Sequence, residues 1–232
     1  MAKNCVIIGV GPGNGAAFAR RFASAGYKVA MLSRDESYLE QLSAEILGSR
    51  AIPCDARDPD SIRGAFDRIH EALGAVDVMI YNAGAGDWKS VEQTRLEDFE
   101  SSWKTNAFGL LAAAQQVIPA MKERGHGCIV VIGATASLRG GANTTSFAAA
   151  KAAQRSLAQS MARGLGALGI HISYVVIDGI IDLERTRAVM VDRPTEFFLK
   201  PDAIAESVYN LTEQHRSAWS FEIDLRPHVE KW

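Results

Sequence analysis

The chain has 232 residues, 47% of them in the hydrophobic set, with 25 basic and 27 acidic side chains and a net charge of −2. That is enough to bury one substantial core. The balance of charge excludes a broad nucleic-acid footprint and a polybasic membrane patch. No apolar run reaches the ~20 residues a membrane span needs. Lys3-Asn4 leads straight into a strand-like run cut short by Pro12-Gly13, unlike a signal peptide. A cytoplasmic location is expected.

In chain order, strand and helix patterns alternate. Cys5 to Val10 predicts a buried strand. Gly15 to Ala25 predicts a helix packed through Phe18, Phe22 and its alanines, closed by Gly26. Val29 to Leu32 is a second strand, Glu36 to Leu47 a helix ending at Gly48, Ala51 to Cys54 a third strand, and Pro59 to Leu73 a helix. Val76 to Tyr81 is the fourth strand. One long helix is expected from Leu96 to Arg124, entered through Thr94-Arg95. Then come a strand at Cys128 to Ile132, a helix from Phe147 to Leu168 and a strand at Ile170 to Ile177. A helix at Pro201 to Thr212 and an edge strand at Trp219 to Leu225 complete the pattern.

Near-continuous apolar strands alternating with helices imply a parallel sheet covered on both faces. With no internal repeat or linker, the expectation is one α/β domain over residues 1–232, a Rossmann-like doubly wound parallel sheet. Cys5, Cys54 and Cys128 are far apart and make no zinc spacing, so no metal is expected; they suit small buried positions in a reducing compartment.

The segment Ile8-Gly9-Val10-Gly11-Pro12-Gly13-Asn14-Gly15 joins the first strand to the first helix. Glycines there let backbone approach a pyrophosphate, and the helix N-terminus offers N–H groups and a positive dipole end. The strict G-x-G-x-x-G spacing fails from Gly9, because Asn14 holds its third glycine position. The alanine-ended variant fits from Gly11 to Ala16.

Taken with motifs further on, the chain resembles the short-chain dehydrogenase/reductase family over nearly its whole length. Gly9, Gly13 and Gly15 match that family's glycine loop, with Ile8 in place of its threonine. Asp55-Ala56, Tyr81-Asn82-Ala83-Gly84 and Asn106-Ala107-Phe108-Gly109 match three further elements in order. The resemblance implies a nicotinamide cofactor, with Asp55 near the adenine and Asn82 to Gly84 supporting the cofactor. At the end of the second strand, Ser33 stands where a carboxylate would select NAD(H). Arg34 stands where a 2′-phosphate would be held, so NADP(H) is expected over NAD(H). Asp35 is the competing candidate, as a carboxylate reader of NAD(H).

The same resemblance implies a serine, a tyrosine and a lysine working with an asparagine. The tyrosine donates the proton as hydride arrives, and the lysine lowers its pKa and holds the ribose. Here Lys151 and Asn106 are present, but Phe147 occupies the tyrosine position and Ala134 the serine position. Thr135, Ser137 and Ser146 are nearby hydroxyls, read as loop residues. After the sixth strand, Asp178-Gly179 replaces the expected proline-glycine. Asp178 or Asp182 could substitute as acid or base, although turn or capping roles fit them better. Gly179 is retained as a cofactor contact, and 183–200 as a substrate lid carrying Met190, Phe197, Phe198 and Leu199.

Two functions remain open on this reading. One is an NADP(H)-dependent oxidoreductase of a small carbonyl, alcohol or activated double bond, with an altered proton donor. The other is a catalytically silent NADP(H)-binding sensor or oligomer partner. The resemblance also implies a homodimer or homotetramer built on the two long helices. Ala112 to Ala114 and Ala148 to Ala150 permit close helix approach, or else pack on the sheet. Trp232 is read as a packing anchor or an oligomer contact.

Overall fold

The computed structural model describes residues 2–230; Trp232 lies outside them. Seven parallel strands form the central sheet: β1 (Asn4–Ile8), β2 (Lys28–Ser33), β3 (Ser49–Pro53), β4 (Val78–Tyr81), β5 (Gly127–Ile132), β6 (Ile170–Ile177) and, at the far edge, Glu222–Leu225. The spatial order runs β3-β2-β1-β4-β5-β6 and then this edge strand. All neighbouring pairs are parallel, with Ile8 registered against both Leu32 and Tyr81. β1, β4 and β5 are buried almost without interruption, which is why they read as continuous apolar runs.

Helices α1 (Asn14–Ser24), α2 (Glu36–Glu45), α3 (Pro59–Leu73), α4 (Leu96–Trp103), α5 (Gly109–Arg124) and α6 (Thr145–Leu165) cover the two faces. They enclose two buried clusters. One, around Phe66, Leu110, Val117, Met121 and Tyr174, lies on one side of the sheet; the other, around Phe18, Phe22, Leu39 and Val208, lies on the opposite side. Cys5, Cys54 and Cys128 are buried and unpaired.

The expected helix Leu96–Arg124 is not regular. Between α4 and α5 a π-helical turn spans Lys104–Phe108 and carries Asn106. Hydrophobic periodicity does not register such a turn, because a single wide turn shifts the face without breaking the apolar stripe. Ala113 and Ala114 are wholly buried in the sheet-facing core, so this alanine run serves sheet packing.

Helix α6 begins at Thr145, so Ser146 and Phe147 lie in its first turn and Ser146 is not a loop residue. The edge strand begins at Glu222, because Trp219 instead stacks on His171 with ring centroids 4.8 Å apart. A two-stranded parallel ribbon adds to the expected elements: β7 (Ile180–Ile181) pairs with β8 (Phe198–Leu199), making the edge strand β9 in chain order. The ribbon ties down both ends of the segment that contains α7 (Glu184–Val189), which precedes α8 (Pro201–Thr212). Phe198 and Leu199 are buried there. No helix among the described residues is long and apolar enough to cross a membrane.

Candidate active site

The strand order reverses at β1 and β4, and the chain leaves both strands at the same edge of the sheet. A doubly wound sheet opens a crevice at this point. Gly9 follows β1 with φ +92°, and a Cβ there would overlap the backbone of Ala83. Glycine is therefore required twice over, by its backbone angle and by the approach of the loop after β4. Asn82 stitches these loops together: its side-chain amide donates to the Gly9 carbonyl at 2.7 Å, and its backbone N–H donates to Ile8 at 2.9 Å. Gly15 lets α1 close on the strand, since a Cβ would come within 2.6 Å of the Val10 Cα.

No side chain caps α1, and no acidic residue sits in its first turn. Its dipole end is thus left for an anion. Asn14, at its start, is buried with its side-chain oxygen unpartnered. Gly11 faces open space, while Gly13 is covered by the Leu183 side chain from the proposed lid. Pro12, Gly13, Arg20, Tyr38, Asp182 and Leu183 line a cavity of about 370 Å³ beside this loop.

At the end of β2, Ser33 is half-buried and Arg34 is exposed, without a hydrogen bond or ion pair to another described residue. Asp35 is committed elsewhere: its carboxylate caps α2 by accepting from the Tyr38 N–H at 3.0 Å. Asp55 follows β3 and chelates the Arg57 guanidinium, with contacts of 2.6–3.1 Å. The guanidinium beside it lowers the Asp55 pKa. Ala56 lies behind it, where its carbonyl meets Gly109 so closely that no Cβ would fit at 109. The glycine of the Asn106–Gly109 element is thus a packing requirement.

The centre of the site is formed by Gly84, Asn106 and Lys151. The side-chain amide of Asn106 donates to the carbonyls of Ala85 at 2.6 Å and Ser102 at 2.8 Å, while its side-chain oxygen is buried without a partner. Lys151 is 5% exposed. Its amine donates to the Ile132 carbonyl at 2.9 Å and to the Gln154 side-chain oxygen at 3.0 Å. Burial pushes its pKa down to about 7. Both the Lys151 amine and the Asn106 side-chain oxygen lie 3.5 Å from the place a Cβ on Gly84 would take. Sequence reasoning missed Gln154, because a lone polar residue inside a helix carries no motif.

Phe147 is half-buried, its ring 6.0 Å from the Lys151 amine and 5.7 Å from the Trp88 ring. Ala134 is half-buried at the end of β5. The neighbouring hydroxyls are all engaged. Thr135 donates to Asp178 at 2.5 Å, Ser137 to the Ala134 carbonyl at 2.7 Å, and Ser146 to Asp87 at 2.5 Å. Asp178 is also paired with Arg226 at 3.0 Å, and Asp182 with Arg187 at 2.7 Å. Arg187 lowers the Asp182 pKa and holds it as a carboxylate. Gly179 has φ +148° and packs against Pro227 and Leu199, so its glycine is explained by this turn. Among the described residues, no group of three or more His, Cys, Asp or Glu side chains could hold a metal.

A family model described as short chain dehydrogenase matches residues 3–192. The chain is 28% identical over 218 residues to carbonyl reductase family member 4 of Xenopus tropicalis, covering 92% of each. It is 30% identical over 189 residues to the 3-oxoacyl-[acyl-carrier-protein] reductase MabA of Mycobacterium tuberculosis, covering 82% of this chain and 73% of that protein. Among solved structures, a short-chain dehydrogenase from Rhodopseudomonas palustris superposes with a TM-score of 0.84 at 30% identity, over 97% of this chain and 99% of the other. An alcohol dehydrogenase from Thermococcus sibiricus complexed with 5-hydroxy-NADP shares the fold with a TM-score of 0.88 at 24% identity, over 100% of this chain and 99% of the other. The ordered motifs, the parallel sheet and these matches agree: the chain belongs to the short-chain dehydrogenase/reductase family of NAD(P)-dependent oxidoreductases.

Proposed function

We propose that the protein is an NADP(H)-dependent oxidoreductase acting on a small carbonyl, alcohol or activated double bond, with a proton-donor arrangement that lacks the usual phenol. The observation that carries this reading is the buried Lys151 amine, held beside Asn106 and Gly84 at the crevice of the sheet. Burying an amine is costly, and among the described residues Lys151 has no carboxylate partner to offset the cost. A purely structural role would be served better by an apolar side chain.

The cofactor would lie across the β1–β4 crevice. Gly9, Gly11, Gly13, Asn14 and Gly15 would take its pyrophosphate, Ser33 and Arg34 its 2′-phosphate, and Asp55 and Ala56 its adenine side. Asn82, Ala83 and Gly84 would support its middle, with Lys151 and Gly179 towards the nicotinamide end. The uncapped start of α1 and the uncommitted Arg34 support that placement. When bound, the cofactor supplies or accepts hydride. The protein's part is to hold it, exclude water and move the proton. The 183–200 segment serves as the lid, with Leu183 already lying on the glycine loop.

A homodimer or homotetramer is part of this proposal. Phe99, Trp103 and Leu111 are 39–42% exposed on α4 and α5, an apolar face suited to a second copy. The catalytically silent cofactor-binding reading is favoured by Phe147 and Ala134 alone. Monitoring NADPH consumption over a panel of aldehydes, ketones and enones, beside NADPH binding by calorimetry, separates the two. Turnover of at least one substrate class is expected; tight binding without turnover of any would establish the silent reading.

A further inference from the structure

The fully buried amide of Gln154 has no place in the family motifs, yet both of its ends are used at the centre of the site. Its oxygen accepts from the Lys151 amine at 3.0 Å, and its nitrogen donates to the Asn106 backbone carbonyl at 3.0 Å. It therefore connects α6 to the π-helical turn. A buried amide with one unsatisfied end is costly, and in Gln154 each end has a partner.

The consequence for Lys151 follows from valence. A neutral amine has two N–H bonds, and the Ile132 carbonyl and the Gln154 oxygen are two fixed acceptors for them. The remaining tetrahedral position carries either the lone pair or a third N–H. It faces neither of those acceptors, and the side of the amine nearest Gly84 also holds the unpartnered Asn106 oxygen.

We propose that Gln154 is a positioning residue: it holds the Lys151 amine by one hydrogen so that the remaining valence carries the site's transferable proton, in place of the absent phenol. The proton-delivery part rests on the oxidoreductase reading above. In carbonyl reduction, the substrate carbon gains hydride from the reduced cofactor and the C=O π pair moves onto oxygen. That oxygen takes a proton from the Lys151 ammonium, directly or through one water. The N–H bonding pair stays on nitrogen, and the neutral amine recovers its proton from solvent. The balance is carbonyl, NADPH and one proton giving alcohol and NADP+.

The surroundings suit a group that changes charge near neutrality. Around the amine are the Ile132 carbonyl from β5, Gly84 from the loop after β4, Asn106 from the π-helical turn and the Phe147 ring from α6. From β6, the Tyr174 hydroxyl donates to the Lys151 carbonyl at 3.4 Å, and burial raises its pKa to about 12, so it stays neutral. Tyr81 is bonded to the Thr105 carbonyl, and burial raises its pKa as well. Asp87, in the loop above, is tied to Lys89 and Ser146.

The test is the titration of Lys151 by NMR of its labelled ε-carbon in the cofactor-free protein, with the resonance assigned by its loss in Lys151→Met. The variants are Gln154→Met, which removes the acceptor, and Gln154→Glu, which keeps the shape and adds charge. Gln154→Met should lower the midpoint by about one pH unit, and Gln154→Glu should raise it by about 1–3 units. The pH profile of NADPH consumption should move in the same order. An unmoved midpoint in both folded variants overturns the proposal, even where reduction is observed. Shifted midpoints with no reduction of any substrate defeat the oxidoreductase reading and the proton delivery with it, and leave the hold of Gln154 on the amine supported.

Discussion

Phe147 rests its ring directly on the backbone of Gly86: a Cβ added at residue 86 would lie 2.6 Å from the Phe147 Cβ and Cδ2 atoms. The aromatic ring at this position is therefore seated by a glycine across the cleft, with Trp88 flanking it at 5.7 Å. Gly86→Ala should force the ring out of its seat and destabilise the protein by about 1–3 kcal/mol, the usual range for overpacking. Urea unfolding of the two proteins measures this. An unchanged midpoint would show that the loop yields freely and that the seat imposes no constraint.

Phe147→Tyr together with Ala134→Ser restores both missing hydroxyls. A positioned proton donor is worth about 10²–10⁴-fold in rate. With Lys151 as the proposed native donor, the phenol replaces a donor rather than filling a void, so the double variant should raise ketone reduction by about 10²-fold at most; the tyrosine adds one oxygen to a ring that is half-exposed. NADPH consumption by native and double-variant protein checks it. Strong native ketone reduction left unchanged by the double variant would show that the native donor already suffices.

Arg34→Ala should weaken NADPH binding far more than NADH binding. The Arg34 guanidinium makes no hydrogen bond or ion pair among the described residues and interacts with Asp55 only at a distance, so its donors are available for a 2′-phosphate. Calorimetric titration of both cofactors against both proteins decides this. Equal losses, or a native preference for NADH, would remove the NADP(H) assignment.

Lys151 also makes stability depend on pH. Its folded pKa is lowered to about 7, against an ordinary lysine value of 10.5, because burial disfavours the ammonium. Between those values the unfolded chain binds the extra proton and the folded chain does not, so stability rises with pH through that window. The slope from this one group is about 1.4 kcal/mol per pH unit. Below about pH 7 the cost of the buried ammonium is fully present. Lys151→Met removes the dependence. The stability gap between variant and native, from denaturant unfolding at pH 6 to 10, should favour the variant at the acid end and close as pH rises. A gap constant with pH would mean that the amine is solvated.

Trp103→Glu, on the exposed face of α4, should convert the proposed dimer or tetramer to smaller species. Light scattering at micromolar concentration reads the mass; a native monomer would end the assembly proposal.

What the sequence alone determined is whatever rests on local chemistry or on the order of motifs. Short apolar runs such as Cys5–Ile8, bounded by turn residues, read as strands buried on both faces, and their alternation with helices implies the parallel sheet. Gly9 and Gly15 are legible because close backbone approach leaves glycine as its signature. The loss of two hydroxyls at Phe147 and Ala134 needs only the residue names. Tertiary structure decided what depends on residues far apart in the chain. It assigned Asp35 to a helix cap and Asp182 to Arg187, leaving Arg34 uncommitted. It joined Ile180–Ile181 to Phe198–Leu199 through a ribbon too short to have a periodicity. It also placed a widened helical turn at Asn106 and brought Gln154, from another helix, within reach of both the Asn106 carbonyl and the Lys151 amine. Such a bridge leaves no spacing in the sequence, because a buried polar group is satisfied by whatever the fold brings within about 3 Å, and only the folded chain sets that distance.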